Sequence, residues 1–225
     1  MVYLNKDQME RLFKEAFDVL GISVASVMNR AGEYSADFIL GLKPKKVVVC
    51  CGAGNAGGVG LAIARNLHQK GVTVQIVMAE KKLKEDTTEQ LSEARKLNII
   101  EVKGVHSEVG DIVVDALAGY NFSETPRGQY AVLIDQINNA RTSGSKVVSV
   151  DVPTGIDSTS GFLYIPHVTA DYTLSLGLPK SGMKEARENI GELHLVDIGI
   201  PASIYDSLHI PNEHYFGRSS VVKIW

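Results

Sequence analysis

Two aspartates stand where apolar segments of the chain end, and this position gives them chemical interest. Asp115 lies near the end of the apolar segment 111–117, and Asp151 follows the apolar run 146–150. Partial burial at such a point makes the ionised form of a carboxyl group less favourable, unless a nearby cation or N–H donors stabilise the negative charge. Either aspartate could bind a cation, move a proton, cap a helix or order its own turn. Thr154 could offer its hydroxyl oxygen to a hard cation or stabilise the turn.

A glycine-rich stretch is the second chemical signal. It follows a short apolar run, precedes an Ala/Leu/Ile helical pattern, and has five glycines within nine residues: Gly52, Gly54, Gly57, Gly58 and Gly60. Glycines let a backbone take positive φ and let a ligand approach, and the N–H groups of a helix N-terminus favour an anion. The spacing also satisfies G-x-G-x-x-G, with Glu80 placed where a ribose-binding acid could lie. A tight turn that uses glycine only for packing is the alternative.

Apolar runs that alternate with helical patterns must position these groups. Amphipathic helices are predicted at 9–20 and 24–40, before the first strand, where they would pack on the sheet or serve a subunit contact. One further helix directly follows the glycines, and two more are predicted at 87–97 and 129–140. Because the strands are apolar throughout and separated by helices, the pattern predicts an α/β fold with a mostly parallel sheet covered on both faces, in one domain over 1–225. The predicted strands are 47–51, 72–78, 98–102, 111–117, 146–150, 171–176 and 193–197.

Ligands of an open parallel sheet bind outside the carboxyl ends of its strands. The segments 52–60, 115–119 and 151–157 all follow predicted strands, so they should converge in one cleft. The segment 177–182 follows another strand and should form part of its rim.

Composition excludes several classes of protein. The chain has 225 residues, 44% of them hydrophobic and 22% charged, with a net charge of −3. These values are ordinary for a globular protein and disfavour disorder, a membrane protein and a large nucleic-acid footprint.

Cys50 and Cys51 are neighbours in a strand and point to opposite faces, so we expect small, unpaired core residues of a reduced, cytoplasmic protein. We expect no signal peptide, and find no zinc-ligand spacing, Walker phosphate loop or G-x-S-x-G elbow.

Several separate motifs, taken together and in order, resemble the NAD(P)HX epimerase family, also known as the YjeF N-terminal domain. The resemblance covers nearly the whole chain. The motifs are MNRAG at 28–32, GAGNAGGVG at 52–60, VDALAG at 114–119, PRG at 126–128, VSVDVPTG at 148–155, ADYTLSLGLPK at 170–180 and DIGIP at 197–201.

The resemblance implies a three-layer αβα Rossmann-like domain, often dimeric, that acts on the hydrated nicotinamide cofactors NADHX and NADPHX. Such proteins interconvert the R and S epimers so that a partner dehydratase can use the S form. Asp151 would be the catalytic acid or base, or the carboxylate that stabilises a ring-opened or iminium-like species. A potassium ion commonly lies in the site, with Asp115, Thr154 and the side chain at position 56 as its ligands. The substrate would be lined by Gly54, Asn55, Ala56, Gly57, Gly58, Val59, Gly119, Tyr120, Asn121, Phe122, Ser123, Glu124, Thr125 and Asp151.

The chain departs from the family pattern at four positions that we expect in the pocket. The loop usually reads G-x-G-N-N-G-G-D-G, whereas Ala56 and Val59 replace its second Asn and its Asp; the early helix usually carries M-E-N-A-G, whereas Asn29 and Arg30 stand here. One alternative is therefore a catalytically lapsed nucleotide-binding or dimeric interaction module on the same fold. A conventional NAD-dependent oxidoreductase is the other, supported only by the glycine spacing and Glu80.

Overall fold

A computed structural model describes residues 1–211, 215–217 and 219–225, and within them eight strands form one sheet. The strands are β1 (Lys46–Cys51), β2 (Thr73–Met78), β3 (Ile100–Glu101), β4 (Ile112–Ala116), β5 (Lys146–Val150), β6 (Tyr172–Leu176), β7 (Glu192–Val196) and β8 (Val221–Lys223). The helices are α1 (Lys6–Lys14), α2 (Val24–Gly41), α3 (Asn55–Gln69), α4 (Glu85–Lys96), α5 (Gln129–Thr142), α6 (Arg187–Ile190) and α7 (Ala202–Ser207). No helix in these ranges combines the length and the apolar character needed to cross a membrane.

The order of the strands creates a crevice in the middle of the sheet. The order is β3-β2-β1-β4-β5-β6-β7-β8, and every neighbouring pair is parallel except β7 and β8. The chain moves outward from β1 to β3 and then returns to place β4 on the other side of β1. Doubly wound sheets bind their ligands at the point where the order reverses in this way. Cys51 pairs with Ala116 there, immediately before the two loops that follow β1 and β4.

Alternation along β1 divides the core into two layers. Val49 and Cys51 point into the cluster that contains the buried side chains of α2 and α3, whereas Val48 and Cys50 point into the cluster around α5. Both cysteines are fully buried and unpaired, as predicted. The predicted αβα layering is confirmed.

The N-terminal helix changes its type part-way along. Asn5 caps α1 by accepting the N–H of Gln8, whose side chain accepts the N–H of Asn5 in return. After Lys14 the chain continues as a π-helical segment, Glu15–Val19, rather than as the α-helix predicted to residue 20. The apolar stripe therefore divides: Met9 and Leu12 are buried in the core beside α7, whereas Phe13 and Phe17 turn toward the crevice.

The edges of the sheet differ most from prediction. β3 pairs over two residues rather than the predicted five, and Ile100 is largely exposed there. β8 has three residues and was not predicted, because so short a segment shows no usable alternation. The central strands agree with prediction to within about two residues, as expected for boundaries read from sequence.

Candidate active site

A cavity of about 280 Å³ opens at the carboxyl ends of the central strands. One wall consists of apolar side chains from the N-terminal helices, including Phe13, Phe17 and Met28. The opposite wall comes from the first turns of α3 and from residues 117–122 after β4. Among the described residues that line the cavity, Asp151 is the only carboxylate and Lys84 the only cation. The segments predicted to converge after β1, β4 and β5 thus do meet.

Close packing, rather than backbone freedom, explains the glycines of the loop. None of the five has a φ in the left-handed region, so the expectation of positive φ is wrong. A Cβ on Gly57 would come within 2.0 Å of the Gly52 carbonyl oxygen, and one on Gly60 within 2.5 Å of the Ala116 Cβ. These contacts let the loop fold back on itself and let α3 lie directly against β4. Gly54 has open space around its Cα position and lines the cavity.

Asp151 lines the cavity and is held there by contacts with two other segments of the chain. Its φ is +69°, an uncommon conformation for a residue with a side chain, which persists where the surrounding structure enforces it. The Tyr120 N–H donates to Oδ2 at 2.8 Å, and Lys180 Nζ makes a very short contact with Oδ1. A Cβ on Gly119 would lie 2.9 Å from Oδ2, so glycine is required there for the close approach.

Lys180 lies behind Asp151 and is completely buried. Besides its ion pair with Asp151, its Nζ donates to Ser175 Oγ at 3.2 Å and to the Leu176 carbonyl at 3.0 Å. Burial lowers the pKa of Lys180, and the charge of Asp151 opposes that shift. Lys180 does not contribute to the cavity lining. The segment 177–182 was predicted to form part of the rim, but none of its residues lines the cavity, so that prediction is wrong. No role was predicted for Lys180; its place just after an apolar strand is the signal that could have marked it.

Asp115 is fully buried beside the cavity and makes only structural contacts. Its Oδ1 accepts the Thr154 hydroxyl at 2.7 Å and the Leu117 N–H at 3.3 Å. Its Oδ2 accepts the Ser149 hydroxyl and the Thr154 N–H, both at 2.9 Å. Burial raises the pKa of Asp115, and these hydrogen bonds oppose the increase. The carboxylate therefore ties the ends of β4 and β5 to the turn that follows β5.

Comparison with known proteins identifies the family of this chain. The family model described as "YjeF-related protein N-terminus" matches residues 24–182. This chain belongs to that family. The YjeF-related resemblance seen in the motifs is thereby confirmed.

Several YjeF-related proteins show how far the similarity extends. The NAD(P)H-hydrate epimerase of Dehalogenimonas lykanthroporepellens is 34% identical, over 91% of this chain and 84% of that protein. The bifunctional NAD(P)H-hydrate repair enzyme Nnr of Thermofilum pendens is also 34% identical, over 92% of this chain but only 42% of that protein. The crystal structure of yeast ynu0, YNL200c, has the same fold, with a TM-score of 0.86 and 21% identity over the full length of both chains.

The predicted substrate-lining residues of this YjeF-related chain fall into two groups. Gly57 and Gly58 are buried against protein atoms, and Ser123, Glu124 and Thr125 are exposed beyond the lining. The remaining predicted positions line the cavity, namely Gly54, Asn55, Ala56, Val59, Gly119, Tyr120, Asn121, Phe122 and Asp151.

Two of the four departures from the YjeF-related pattern lie outside the pocket, so that expectation is wrong for them. Asn29 accepts hydrogen bonds from Arg65 at 2.8 Å and from Gln90 at 3.1 Å. Arg30 pairs with Asp197 at 2.6 Å. Because one helical turn carries side chains in several directions, α2 presents Met28 to the cavity while these neighbours point elsewhere.

Ala56 and Val59 do line the cavity and make this part of the wall apolar.

The three positions implied for potassium do not fit that ion. Asp115 uses each carboxylate oxygen for two hydrogen bonds, and the Thr154 hydroxyl both donates to Asp115 and accepts the Ala118 N–H at 3.1 Å. Ala56 has no side-chain oxygen, so no set of unused oxygen donors remains at these positions.

Aromatic rings form part of the wall: Tyr120 and Phe122 were predicted to line the substrate, whereas Phe13 and Tyr130 were not. Phe13 stacks on Tyr120 with ring centroids 5.7 Å apart, and Phe122 stacks on Tyr130 at 6.2 Å. Burial raises the pKa values of Tyr120 and Tyr130, so both phenols stay neutral. Phe13 belongs to a helical stripe that sequence alone cannot distinguish from ordinary core.

Glu80, the predicted ribose-binding acid, is exposed and outside the lining, which removes the main support for an oxidoreductase.

Proposed function

We propose that this chain is an NAD(P)H-hydrate epimerase, which interconverts the R and S forms of NADHX or NADPHX. The observation that carries the proposal is that Asp151, a buried side chain, is the one carboxylate among the described residues lining a cavity with aromatic walls at the sheet's switch point. Relatives that are 34% identical and named NAD(P)H-hydrate epimerase support it. Their names do not favour the catalytically lapsed alternative.

Epimerisation requires the hydrated carbon to lose one bond and re-form it from the opposite face. Either the ring C–N bond opens, leaving an aldehyde, or the hydroxyl departs as water, leaving an iminium-like ring. In the first route Asp151 accepts the hydroxyl proton as the C–N bond breaks and returns it after the carbon has turned. In the second route the hydroxyl takes a proton from solvent and leaves as water, water then adds to the opposite face and gives that proton back, and the negative charge of Asp151 faces the cation that exists in between. Both routes need one positioned carboxylate, and neither changes the composition of the substrate.

The cavity supports this chemistry through its shape and polarity. Its volume, about 280 Å³, is at the lower end of ligand pockets, so it suits the hydrated nicotinamide end of the substrate rather than the entire dinucleotide. The aromatic and apolar walls favour a flat ring and limit water. Lys84 and the N-terminus of α3 favour negative charge at the cavity, where the diphosphate would lie.

The remaining parts of the proposal rest on the resemblance. We propose that the protein acts as a homodimer in the cytoplasm and supplies the S epimer to a dehydratase. The bifunctional repair enzymes among the relatives support a functional link of that kind. Because Asp115, Thr154 and Ala56 do not fit potassium, no step of the proposed reaction passes through that ion.

Incubation of the purified chain with R-NADHX or R-NADPHX tests the proposal. Chromatographic separation of the R and S forms over time should show conversion faster than in buffer alone. The matched control is Asp135→Asn, an exposed position on α5, which should convert at the wild-type rate. A folded wild-type protein that binds the substrate without accelerating conversion would instead identify a binding module.

A further inference from the structure

The ion pair between Lys180 and Asp151 has an unusual setting. Lys180 has no exposed surface, and its three ammonium protons have three acceptors: Asp151 Oδ1, Ser175 Oγ and the Leu176 carbonyl. A charged amine is rarely placed in a fully buried position unless it is paired. Asp151, the carboxylate that lines the cavity, supplies the opposite charge that stabilises the buried ammonium group of Lys180.

Lys180 constrains the part of Asp151 that faces the cavity. The ammonium engages Oδ1 while the Tyr120 N–H engages Oδ2, so the plane of the carboxylate is fixed from two sides. Lys180 itself does not line the cavity and would not contact bound substrate. Its influence on a reaction there must act through Asp151.

The chain's N-terminal segment holds Lys180 in place. The Leu4 N–H donates to the Pro179 carbonyl, and the Ser181 N–H donates to the Leu4 carbonyl, both at 2.9 Å. These two bonds clamp the backbone on both sides of Lys180. The same segment leads into α1, which contributes Phe13 to the cavity wall. One segment thus positions both the counter-charge of Asp151 and a ring that lines the cavity.

We propose that Lys180 is a positioning residue for the epimerase: it keeps Asp151 ionised and fixes the direction of its free lone pairs. This inference rests on the proposed function. Burial favours the neutral acid when a carboxylate has no counter-charge. Without Lys180, burial would favour the neutral form of Asp151 and only the Tyr120 N–H would still hold the carboxyl group, so Asp151 would be less able to accept a proton or face a cation.

Substitution of Lys180 by residues of different size separates this role from simple packing. Lys180→Met keeps the length of the side chain and removes the charge; we expect kcat to fall by at least about 100-fold, with KM changed far less. Lys180→Ala leaves a space for an alkylammonium ion, so added ethylamine should restore activity to that variant but not to Lys180→Met. Lys103→Met, the same change at an exposed site, should leave both constants unchanged. If Lys180→Met does not fold, Lys180→Gln keeps hydrogen-bond donors without the charge and should show the same loss.

An infrared measurement tests the pair independently of turnover. With carbon-13-labelled aspartate, the difference spectrum between Lys180→Met and wild type should show an added protonated carboxyl band at neutral pH, and that added band should disappear when Asp151→Asn is combined with Lys180→Met. A wild-type kcat in folded Lys180→Met, or an ionised Asp151 in that variant, would overturn the proposal. If wild type itself does not convert the R epimer, the proposed function fails, and the infrared band still decides whether Lys180 keeps Asp151 ionised.

Discussion

Asp115 and Asp151 occupy similar places in the chain and very different places in the molecule. Asp115 lies on β4 opposite Ser149 of β5, and Asp151 follows β5 directly. Asp115 uses both oxygens for four hydrogen bonds from neutral groups and has no exposed surface. Asp151 has one ammonium and one N–H as partners and forms part of the cavity wall. A carboxylate at a strand end is available for chemistry only where its partners leave lone pairs facing a ligand.

The largest expected effect follows from Asp151→Asn. An amide cannot accept the proton of the substrate hydroxyl or oppose a cation, so conversion by folded protein should fall by about 10²–10⁴-fold. The variant also leaves Lys180 without its counter-charge, and the free energy of unfolding should decrease as well. Initial rates must therefore be normalised to the folded fraction, measured by circular dichroism. A wild-type rate in this variant would remove the distinction between the two aspartates.

Asp115→Asn should show the opposite balance. Its amide N–H₂ would face groups that donate hydrogen bonds, and at least two of them would lose their acceptor. We expect the free energy of unfolding, measured with urea, to fall by about 2–5 kcal/mol. Conversion per folded molecule should remain close to that of wild type. A stable variant without activity would show instead that Asp115 takes part in the reaction.

Removal of potassium tests the structural role of Asp115, and we expect a smaller effect than from the substitutions above. If the oxygens of Asp115 and Thr154 are fully used within the protein, replacing potassium by N-methylglucamine should change neither the conversion rate nor the Tm, since a bound ion would stabilise the folded state. Ala56→Asn returns the family's oxygen to the loop, and we expect no potassium dependence there either. Stabilisation of wild type by potassium alone would contradict the structural role of Asp115.

Substitutions of two serines, one beside Asp115 and one beside Lys180, compare the surroundings of the two aspartates and should have the smallest effects. Ser149→Ala removes one hydrogen bond to Asp115, and Ser175→Ala removes one to Lys180. Each should lower the free energy of unfolding by about 1 kcal/mol. Only Ser175→Ala should also lower kcat, because Lys180 acts on Asp151. Equal rates in both variants would indicate that the surroundings of Lys180 matter for stability alone.

The sequence predicts the central sheet and the convergence of its loops, because apolar runs of strand length and the strand-end rule depend on local pattern. It also marks Asp115, Asp151 and Thr154. It does not show which of them faces a cavity, since that depends on partners from other strands, such as Ser149 and Lys180. Side chains on the helices present a similar difficulty. Met28 lines the cavity whereas Arg30 pairs with Asp197, and only the packing of α2 decides this.

The glycine loop shows a different limit of sequence. Its pattern predicts a ligand-binding turn, and Gly54 does line the cavity. Gly57 and Gly60, however, are required by contacts with Gly52 and Ala116. Both uses of glycine produce the same spacing, so sequence alone cannot assign them. The π-helical turn at Glu15–Val19 and the three-residue strand β8 are likewise set by packing rather than by periodicity.

The central claim is that Asp151 performs chemistry at the cavity while Asp115 holds the sheet together. The most direct test is the rate of R-to-S conversion of NADHX per folded molecule, measured side by side for wild type, Asp115→Asn and Asp151→Asn. We predict conversion by wild type and by Asp115→Asn at similar rates, and almost none by Asp151→Asn. Equal rates for the two variants, or no conversion by folded wild type, would contradict it.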